Sequence, residues 1–252
     1  MSLIGMAVYD TEQNQRSQYT KETLTNIVDM VDLNKHQVVV VDNNSCEETK
    51  HILKKFEKHF TIITLSENVG TAKAINRAWR LTRGEHLIKM DNDVVINYSN
   101  WVDEMEEYLE ADPSIGIIGL KRKDIWENPY RTDKYKSTLR MLPHQNGETW
   151  KIVEDVDHVI GTCQMYNKKL IAKIGGLIQP SIYGFDDTLA SIRCKLAGFK
   201  TCFIPHIDIE HIDTKENPYW QEKVKMGNDI LPEFRKMKQD FIDGKIDIKV
   251  RL

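Results

Sequence analysis

Two periods of apolar spacing organise the first half of this chain. Residues 3–9 (LIGMAVY), 37–42 (QVVVVD), 61–65 (TIITL), 86–90 (HLIKM) and 115–120 (IGIIGL) are short apolar runs. Runs of that length without polar alternation predict strands covered on both faces. Between them lie segments whose apolar residues recur three and four apart. Residues 20–32 carry Leu24, Ile27, Val28 and Val31 at that spacing, and residues 70–82 carry Ala74, Ile75, Ala78 and Trp79. Each predicts a helix with one buried stripe. Residues 101–110 predict another helix. Ser45 followed by Glu48 matches a capping box, which predicts a helix from Ser45 through Phe56.

Strands alternating with helices across short loops predict an α/β fold with a mostly parallel, Rossmann-like sheet flanked by helices. In such sheets ligands bind beyond the carboxyl ends of the strands. Two polar clusters fall at those ends. Asp42-Asn43-Asn44-Ser45 closes the second strand, and Asp91-Asn92-Asp93 closes the fourth.

The second half is less regular. Residues 158–167 predict a strand, and 168–177 a short helix stopped by Gly175-Gly176. Residues 186–198 predict a helix with Leu189, Ile192 and Leu196 on its buried side, ending at Gly198. Residues 200–205 and 207–211 predict two short strands, and the tail predicts amphipathic helices that Pro232 starts or breaks. Residues 121–150 form a polar excursion, partly helical, that contains Trp126, Tyr130, Tyr135 and Trp150. From Lys121 to Arg140 it holds seven Lys/Arg against three Asp/Glu. Aromatic faces among cations suit an anionic acceptor such as a phosphorylated glycan, with nucleic acid as a further class that is not favoured. A solvated loop explains the same composition equally well.

Composition narrows the class. The chain has 252 residues, 40% hydrophobic and 29% charged, which is that of a folded globular protein able to bury a core without staples. A formal charge of −3 removes any whole-surface attraction to nucleic acid or anionic lipid. Cys46, Cys163, Cys194 and Cys202 form no C-x-x-C pair, as expected of reduced thiols. No apolar run reaches bilayer length, and the first ten residues lack a signal-peptide pattern. The expectation is a soluble, cytoplasmic protein, with self-association left open.

The chemistry lies in the polar clusters. Asp91 and Asp93, one residue apart at a strand end, can hold Mg²⁺ or Mn²⁺ together with substrate phosphates. Asp and Asn also favour plain turns. Asp186 and Asp187 open a helix, where the dipole favours carboxylates for structural reasons alone, yet a carboxylate there can also act as a general base. His211 closes a predicted strand and is a candidate metal ligand, whereas His206 reads as a surface or core residue.

Four stretches, VVVVDNNSCEET, ENVGTAKAINRAWRLTRGEHLIKMDNDVVI, GTCQMYNKKLIAKIGGL and GFDDTLASIRCKLAGFKTCFIPHIDIEH, together resemble the GT-A-fold nucleotide-sugar glycosyltransferases, specifically the large inverting family-2-like group. The resemblance covers most of residues 3–211. It implies a GT-A catalytic domain over residues 1–215, with a nucleotide-sugar half (1–120) and an acceptor half (121–215), followed by a helical tail (216–252). By that resemblance, Ala7, Tyr9, Asp42, Asn43, Asn68, Lys73, Asp91 and Asn92 contact the nucleotide sugar, with Asp42 and Asn43 at the base and Asp91 near the ribose. Asp93 and His211 hold Mn²⁺ or Mg²⁺. Asp187 is the catalytic base with Asp186 beside it, and Gly161 and Thr162 lie under the acceptor. The implied partners are a nucleoside-diphosphate sugar and a glycan, lipid-linked or other hydroxyl acceptor.

The chain departs from the family pattern at three places. The first strand leads into AVYDTEQNQR, longer and more polar than the usual turn; Asn43 stands where some members carry an acid; and the acidic pair is Asp-Asp rather than Glu-Asp. Two other classes compete. A nucleotidyltransferase would carry a glycine-rich phosphate loop after the first strand, and AVYDTEQNQR has no glycine. A non-catalytic sugar- or nucleotide-binding module would have lost the acidic pair or the D-x-D, and both are present. A P-loop enzyme is excluded because G-x-x-x-x-G-K-[ST] is missing.

Overall fold

The computed structural model describes residues 1–81, 84–126, 137–142, 150–213, 217 and 219–252. Strand β1 (Ser2–Val8) pairs in parallel with β2 (Gln37–Asp42) on one side and β4 (His86–Met90) on the other, and β2 pairs in parallel with β3 (Thr61–Thr64). Side chains alternate between two apolar layers. Ile4, Met6, Val38 and Val40 face one layer, while Leu3, Val39 and Val41 face the other. Helices α1 (Ser17–Met30), α2 (Glu47–Phe56) and α4 (Trp101–Ala111) cover the first face through Leu24, Ile27, Leu53, Trp101 and Met105. Helix α3 (Thr71–Trp79) covers the second with the four residues its spacing predicts. Burial on both faces explains the apolar runs of β1, β2 and β4, whereas β3, expected to be covered likewise, is the edge strand, with Thr61 and Thr64 exposed and Ile62 and Ile63 half-buried.

The second half interrupts the parallel order. Strand β9 (Cys163–Asn167) runs antiparallel between β4 and β6 (Ile115–Arg122). Strand β10 (Lys200–His211) is parallel to β6, and β8 (Ile152–Val156) and β7 (Ser137–Met141) follow it antiparallel. The short β5 (Val94–Val95) pairs antiparallel with the end of β10. Among the described residues these ten strands form one sheet. A short helix α5 (Lys123–Trp126) follows β6. Helices α6 (Lys168–Ile174) and α7 (Asp186–Leu196) join α3 on the second face, and α8 (Tyr219–Ile242) closes the chain.

Several expectations change. Ser45 is not the cap of α2. Cys46 holds that position, and the Ser45 hydroxyl instead donates to Val8 O and accepts from Asp10 N–H, while the Ser45 amide donates to Asp42 Oδ1. The pattern matched a cap, but the serine hydroxyl bonds instead to the end of β1 and the loop that follows it. The strand expected over 158–167 begins only at Cys163, because residues 158–162 turn at the sheet edge. The two short strands at 200–211 are one strand whose register shifts between Ile204 and Asp208, around Pro205. On α7 the buried face is Leu189, Ala190, Arg193 and Cys194, and Leu196 is exposed. Arg193 is buried because it donates to the carbonyls of Ile174, Gly176 and Ile248, tying the end of α6 to the carboxyl-terminal segment. Pro232 lies inside a continuous α8. The 121–150 excursion, expected to be partly helical, holds the short α5 and also strand β7, which pairs with β8 beyond it, and 127–136 and 143–149 lie outside the described residues.

Asn76 of α3 connects the two halves. Its carboxamide donates to Leu177 O and accepts from Leu177 N–H, both at 2.8 Å. That pair fixes the start of the segment that leads into α7. Asn76→Ala leaves two buried backbone groups unpaired, at a cost of about 1–3 kcal/mol. The expected result is a melting temperature lowered by roughly 2–12 °C, since about 2–4 °C accompanies each kcal/mol at this size. An unchanged calorimetric melt would contradict the assigned role.

Candidate active site

The register sets the site. Met6 pairs with Met90 and Val8 with Asp42, so the carboxyl ends of β1, β2 and β4 meet at one edge. Antiparallel β9 places its start there too, with Met90 opposite Cys163 and Asp91 N–H donating to Thr162 O at 3.0 Å. The end of β10 arrives beside β5, with His211 opposite Val94 and Ile212 N–H donating to Asp93 O at 3.0 Å. These pairings bring Asp91, Asp93, Gly161, Thr162 and His211 to one cavity of about 690 Å³. Asp186 and Asp187, at the start of α7, line the same cavity, and α8 adds Tyr219, Lys223 and Met226.

Most of the predicted residues line this cavity. Ala7, Tyr9, Asn43, Asn68 and Asn92 do so together with the residues just named. Two stand outside its wall. Asp42 is fully buried behind it, with Oδ1 accepting from Ser45 N–H and Oδ2 unpartnered, and Lys73 is exposed on α3. Asn43 and Asn68 are bonded to each other at 2.7 Å and fix the turn into α3 through Val69 N–H and Gly70 N–H. Asn92 has its carboxamide occupied by Asp10, Thr20 and Arg16.

Two buried cations organise the carboxylates. Lys89 Nζ lies 2.9 Å from Asp91 Oδ1, 3.4 Å from Asp186 Oδ2 and 2.7 Å from Gly161 O. Burial alone would lower the Lys89 ammonium, but Asp186, Asp91 and Asp187 hold it well above its ordinary value. Arg16 Nη2 lies 2.7 Å from Asp93 Oδ2, and Nη1 pairs with Asp213. Burial would raise the Asp93 carboxyl, but Arg16, His211 and Lys223 hold it well below the usual carboxylate range.

The acidic pair is split by its surroundings. Burial raises Asp186, with Asp187 and Asp91 pushing the same way and Lys89 offsetting only part of it. Burial also works to raise Asp187, but His158, Lys89 and the Gly161 N–H outweigh it and hold that carboxyl below its ordinary value. Gly161 N–H donates to Asp187 Oδ2 at 2.9 Å, and His158 Nε2 lies 3.5 Å from the same oxygen. A Cβ at Gly161 would meet Lys89 Nζ at 2.6 Å, so glycine is what allows this approach. The Asp187 side chain keeps 22% exposure against 9% for Asp186, so Asp187 is the one a bound molecule can reach. Phe185, just before the pair, adopts φ 63°, a conformation that costs about 1–2 kcal/mol outside glycine. Stacking on Phe234 of α8, with ring centroids at 4.2 Å, holds it there.

Asp93 and His211 suit a hard divalent cation. Asp93 Oδ1 is buried without a hydrogen-bond partner, and His211 Nε2 lies 3.3 Å from Asp93 Oδ2. A carboxylate with an imidazole is a fitting donor set for Mn²⁺. A second cluster, His36, Asp103 and Glu106, lies at the other end of β1, roughly 20 Å away at 3.3 Å per residue. There Lys35 pairs with Asp103, and Ser2 and the amino terminus pair with Glu106. Its charges are compensated without an ion.

Sequence reasoning missed Arg16, Lys89, Asp213, Lys223 and His158. Lys89 was signalled by its place in an apolar strand, where a charge needs a partner. Arg16 was signalled as the one basic residue in the long first loop. Lys223 on α8 gave no local signal.

A sheet of this topology, with its cleft at the carboxyl ends of the parallel strands, is a GT-A fold. The chain belongs to glycosyl transferase family 2, whose pattern matches residues 6–175. It is 19% identical over 195 residues to the poly-beta-1,6-N-acetyl-D-glucosamine synthase of Staphylococcus aureus, which covers 75% of this chain and 45% of that protein. It is 25% identical over 179 residues to the N-acetylglucosaminyltransferase of Azorhizobium caulinodans, covering 67% and 45%. The chain thus spans less than half the length of these curated relatives. The mannosyltransferase PcManGT from Pyrobaculum calidifontis, solved with GDP-Man and Mn²⁺, superposes with a TM-score of 0.70 at 19% identity, over 95% of this chain and 64% of that one. Among the described residues no helix is long and apolar enough to cross a membrane.

A carboxyl held low in the folded state stabilises above its unfolded value, about pH 3.9, and loses that contribution as pH falls through its folded value. Asp187→Asn removes the contribution. The gap between the urea midpoints of wild type and variant should therefore begin to narrow as pH falls through about 3.9 and keep narrowing below that. A constant gap would contradict the shift.

Proposed function

We propose that this chain is a metal-dependent glycosyltransferase that moves a sugar from a nucleoside-diphosphate sugar to an acceptor hydroxyl by a single inverting displacement. One observation carries the reading: Asp91, Asp93, His211 and Asp187 line one cavity, with Gly161 bonded to Asp187 and linked to Asp91 through Lys89. Such a cavity can hold a donor on one wall and deprotonate an acceptor on the other. A sequence relative that is an N-acetylglucosaminyltransferase and a structural neighbour that is a mannosyltransferase solved with GDP-Man and Mn²⁺ support the same reaction class.

The residues divide the work by position. Ala7, Tyr9, Asn43 and Asn68 line the cavity and would border the nucleotide, and Asp91 would take a ribose hydroxyl. Asp93 and His211 would hold Mn²⁺ or Mg²⁺, which supplies charge neutralisation for the leaving diphosphate. Asp187 stays ionised and accepts the proton of the acceptor hydroxyl as it attacks the anomeric carbon from the face opposite the diphosphate. Gly161 N–H and His158 fix the carboxylate in the direction of attack. Lys89 ties Asp186 and Asp91 together, so the two walls keep their spacing. Holding both substrates in line supplies much of the rate.

Calorimetric titration with UDP, GDP and dTDP, with and without Mn²⁺, tests the donor half. Metal-dependent binding of one nucleotide that Asp93→Ala abolishes is the expected result. Asp187→Asn should keep that affinity and lower turnover by on the order of 10² to 10⁴. Loss of nucleotide affinity without loss of turnover would remove Asp187 from the role of base.

A further inference from the structure

The long polar loop after β1 has one evident product, the placement of Arg16. Asn14 braces the loop by accepting from Thr11 N–H at 2.8 Å and from Arg16 N–H at 3.2 Å. Asn217, beyond β10, donates to Asn14 O at 3.1 Å. The Arg16 guanidinium is thereby directed onto the acids. Nη2 reaches Asp93 Oδ2 at 2.7 Å and Asn92 Oδ1 at 3.1 Å, Nη1 pairs with Asp213, and Nε lies 3.9 Å from Asp10 Oδ1. Lys223 lies 2.6 Å from Asp213 Oδ2 and 4.0 Å from Asp93 Oδ2.

Asp93 Oδ2 is therefore surrounded by Arg16, Lys223 and His211, while Oδ1 of the same carboxylate is buried and unpartnered. We propose that Arg16 gates the cation site: its guanidinium holds Oδ2 of Asp93 and sets a fixed positive charge beside the open Oδ1, so a divalent ion binds well only together with a nucleoside diphosphate. This rests on the metal-dependent reading of the cavity.

The electrostatics set the direction. A divalent ion approaching Asp93 alone meets two fixed cations in a buried site, where charges a few ångströms apart are poorly screened. A diphosphate brings negative charge that both cations can face. Arg16 can then release Asp93 and turn toward the phosphate oxygens, a geometry its planar fork suits, while Nη1 keeps its hold on Asp213. Asp213 is thus a positioning residue that keeps Arg16 at the cavity in both arrangements. By linkage, the factor by which nucleotide tightens metal equals the factor by which metal tightens nucleotide.

The test is titration of Mn²⁺ followed by the electron paramagnetic resonance of the free ion. Wild type and Arg16→Gln are each titrated with Mn²⁺ alone and with Mn²⁺ plus UDP or GDP, whichever binds. Wild type should bind Mn²⁺ weakly alone and far more tightly with nucleotide. Arg16→Gln should bind Mn²⁺ alone more tightly than wild type by on the order of tenfold, with a smaller gain on adding nucleotide. Equal affinity of both proteins for Mn²⁺ alone, with nucleotide-linked binding intact, would overturn the gate and leave the metal-dependent reading standing. If nucleotide binds and Mn²⁺ does not, the metal-dependent reading fails and the gate fails with it. Arg16 is buried among carboxylates, so the glutamine variant can fail to fold. Arg16→Lys keeps the charge but cannot bridge Asp93 and Asp213, and its Mn²⁺ affinity without nucleotide should rise by a smaller factor. No rise in a folded Arg16→Lys would also overturn the proposal.

Discussion

The site depends on charge compensation at one sheet edge. Asp10, Asp91, Asp93, Asp186, Asp187 and Asp213 converge where β1, β4, β9 and β10 meet. Carboxylates that close would repel and protonate if left unpaired. Lys89 and Arg16 prevent that from two directions. Lys89 rises from inside the sheet and serves the acidic pair with Asp91, while Arg16 comes from the loop above and serves Asp93, Asp213 and Asp10. Removing one partner of a buried pair generally costs more than the pair contributes, so the six acids and two bases act as one unit.

Compensation is also selective. Asp93 and Asp187 are held in the ionised form, as their proposed roles of metal ligand and base require, while burial lifts Asp186 and Asp10. Neighbouring aspartates in one chain thereby acquire different chemistry from their surroundings. The strained backbone at Phe185 belongs to the same arrangement, since it orients the start of α7 and is held from outside by Phe234. In this way α8 bears on both Asp93, through Lys223, and the acidic pair, through Phe234.

The parallel half of the fold was legible in the sequence because β1, β2 and β4 are buried on both faces and its helices carry one clean stripe. Leu3, Val39, Ala74 and Trp79 fall where spacing puts them. The D-x-D and the acidic pair were legible as strand-end and helix-start signals. The second half was less so, because β9 inserts antiparallel between β4 and β6, a pairing no local pattern encodes. Ser45 shows the limit at residue level: its motif suited a helix cap, but Asp10 and Val8 offered its hydroxyl other partners. Leu196 fails for a related reason, since α7 turns Arg193 inward to reach three carbonyls. Arg16 and Lys223 became functional candidates only once distant segments were folded together.

The central claim is that the acids at the carboxyl edge, and not those at the opposite end of β1, hold the catalytic cation. An anomalous-scattering map from crystals grown with Mn²⁺ and the nucleotide that binds tests it most directly. The account predicts a peak within bonding distance of Asp93 and His211. A peak at His36, Asp103 and Glu106 with none in the cavity would contradict it.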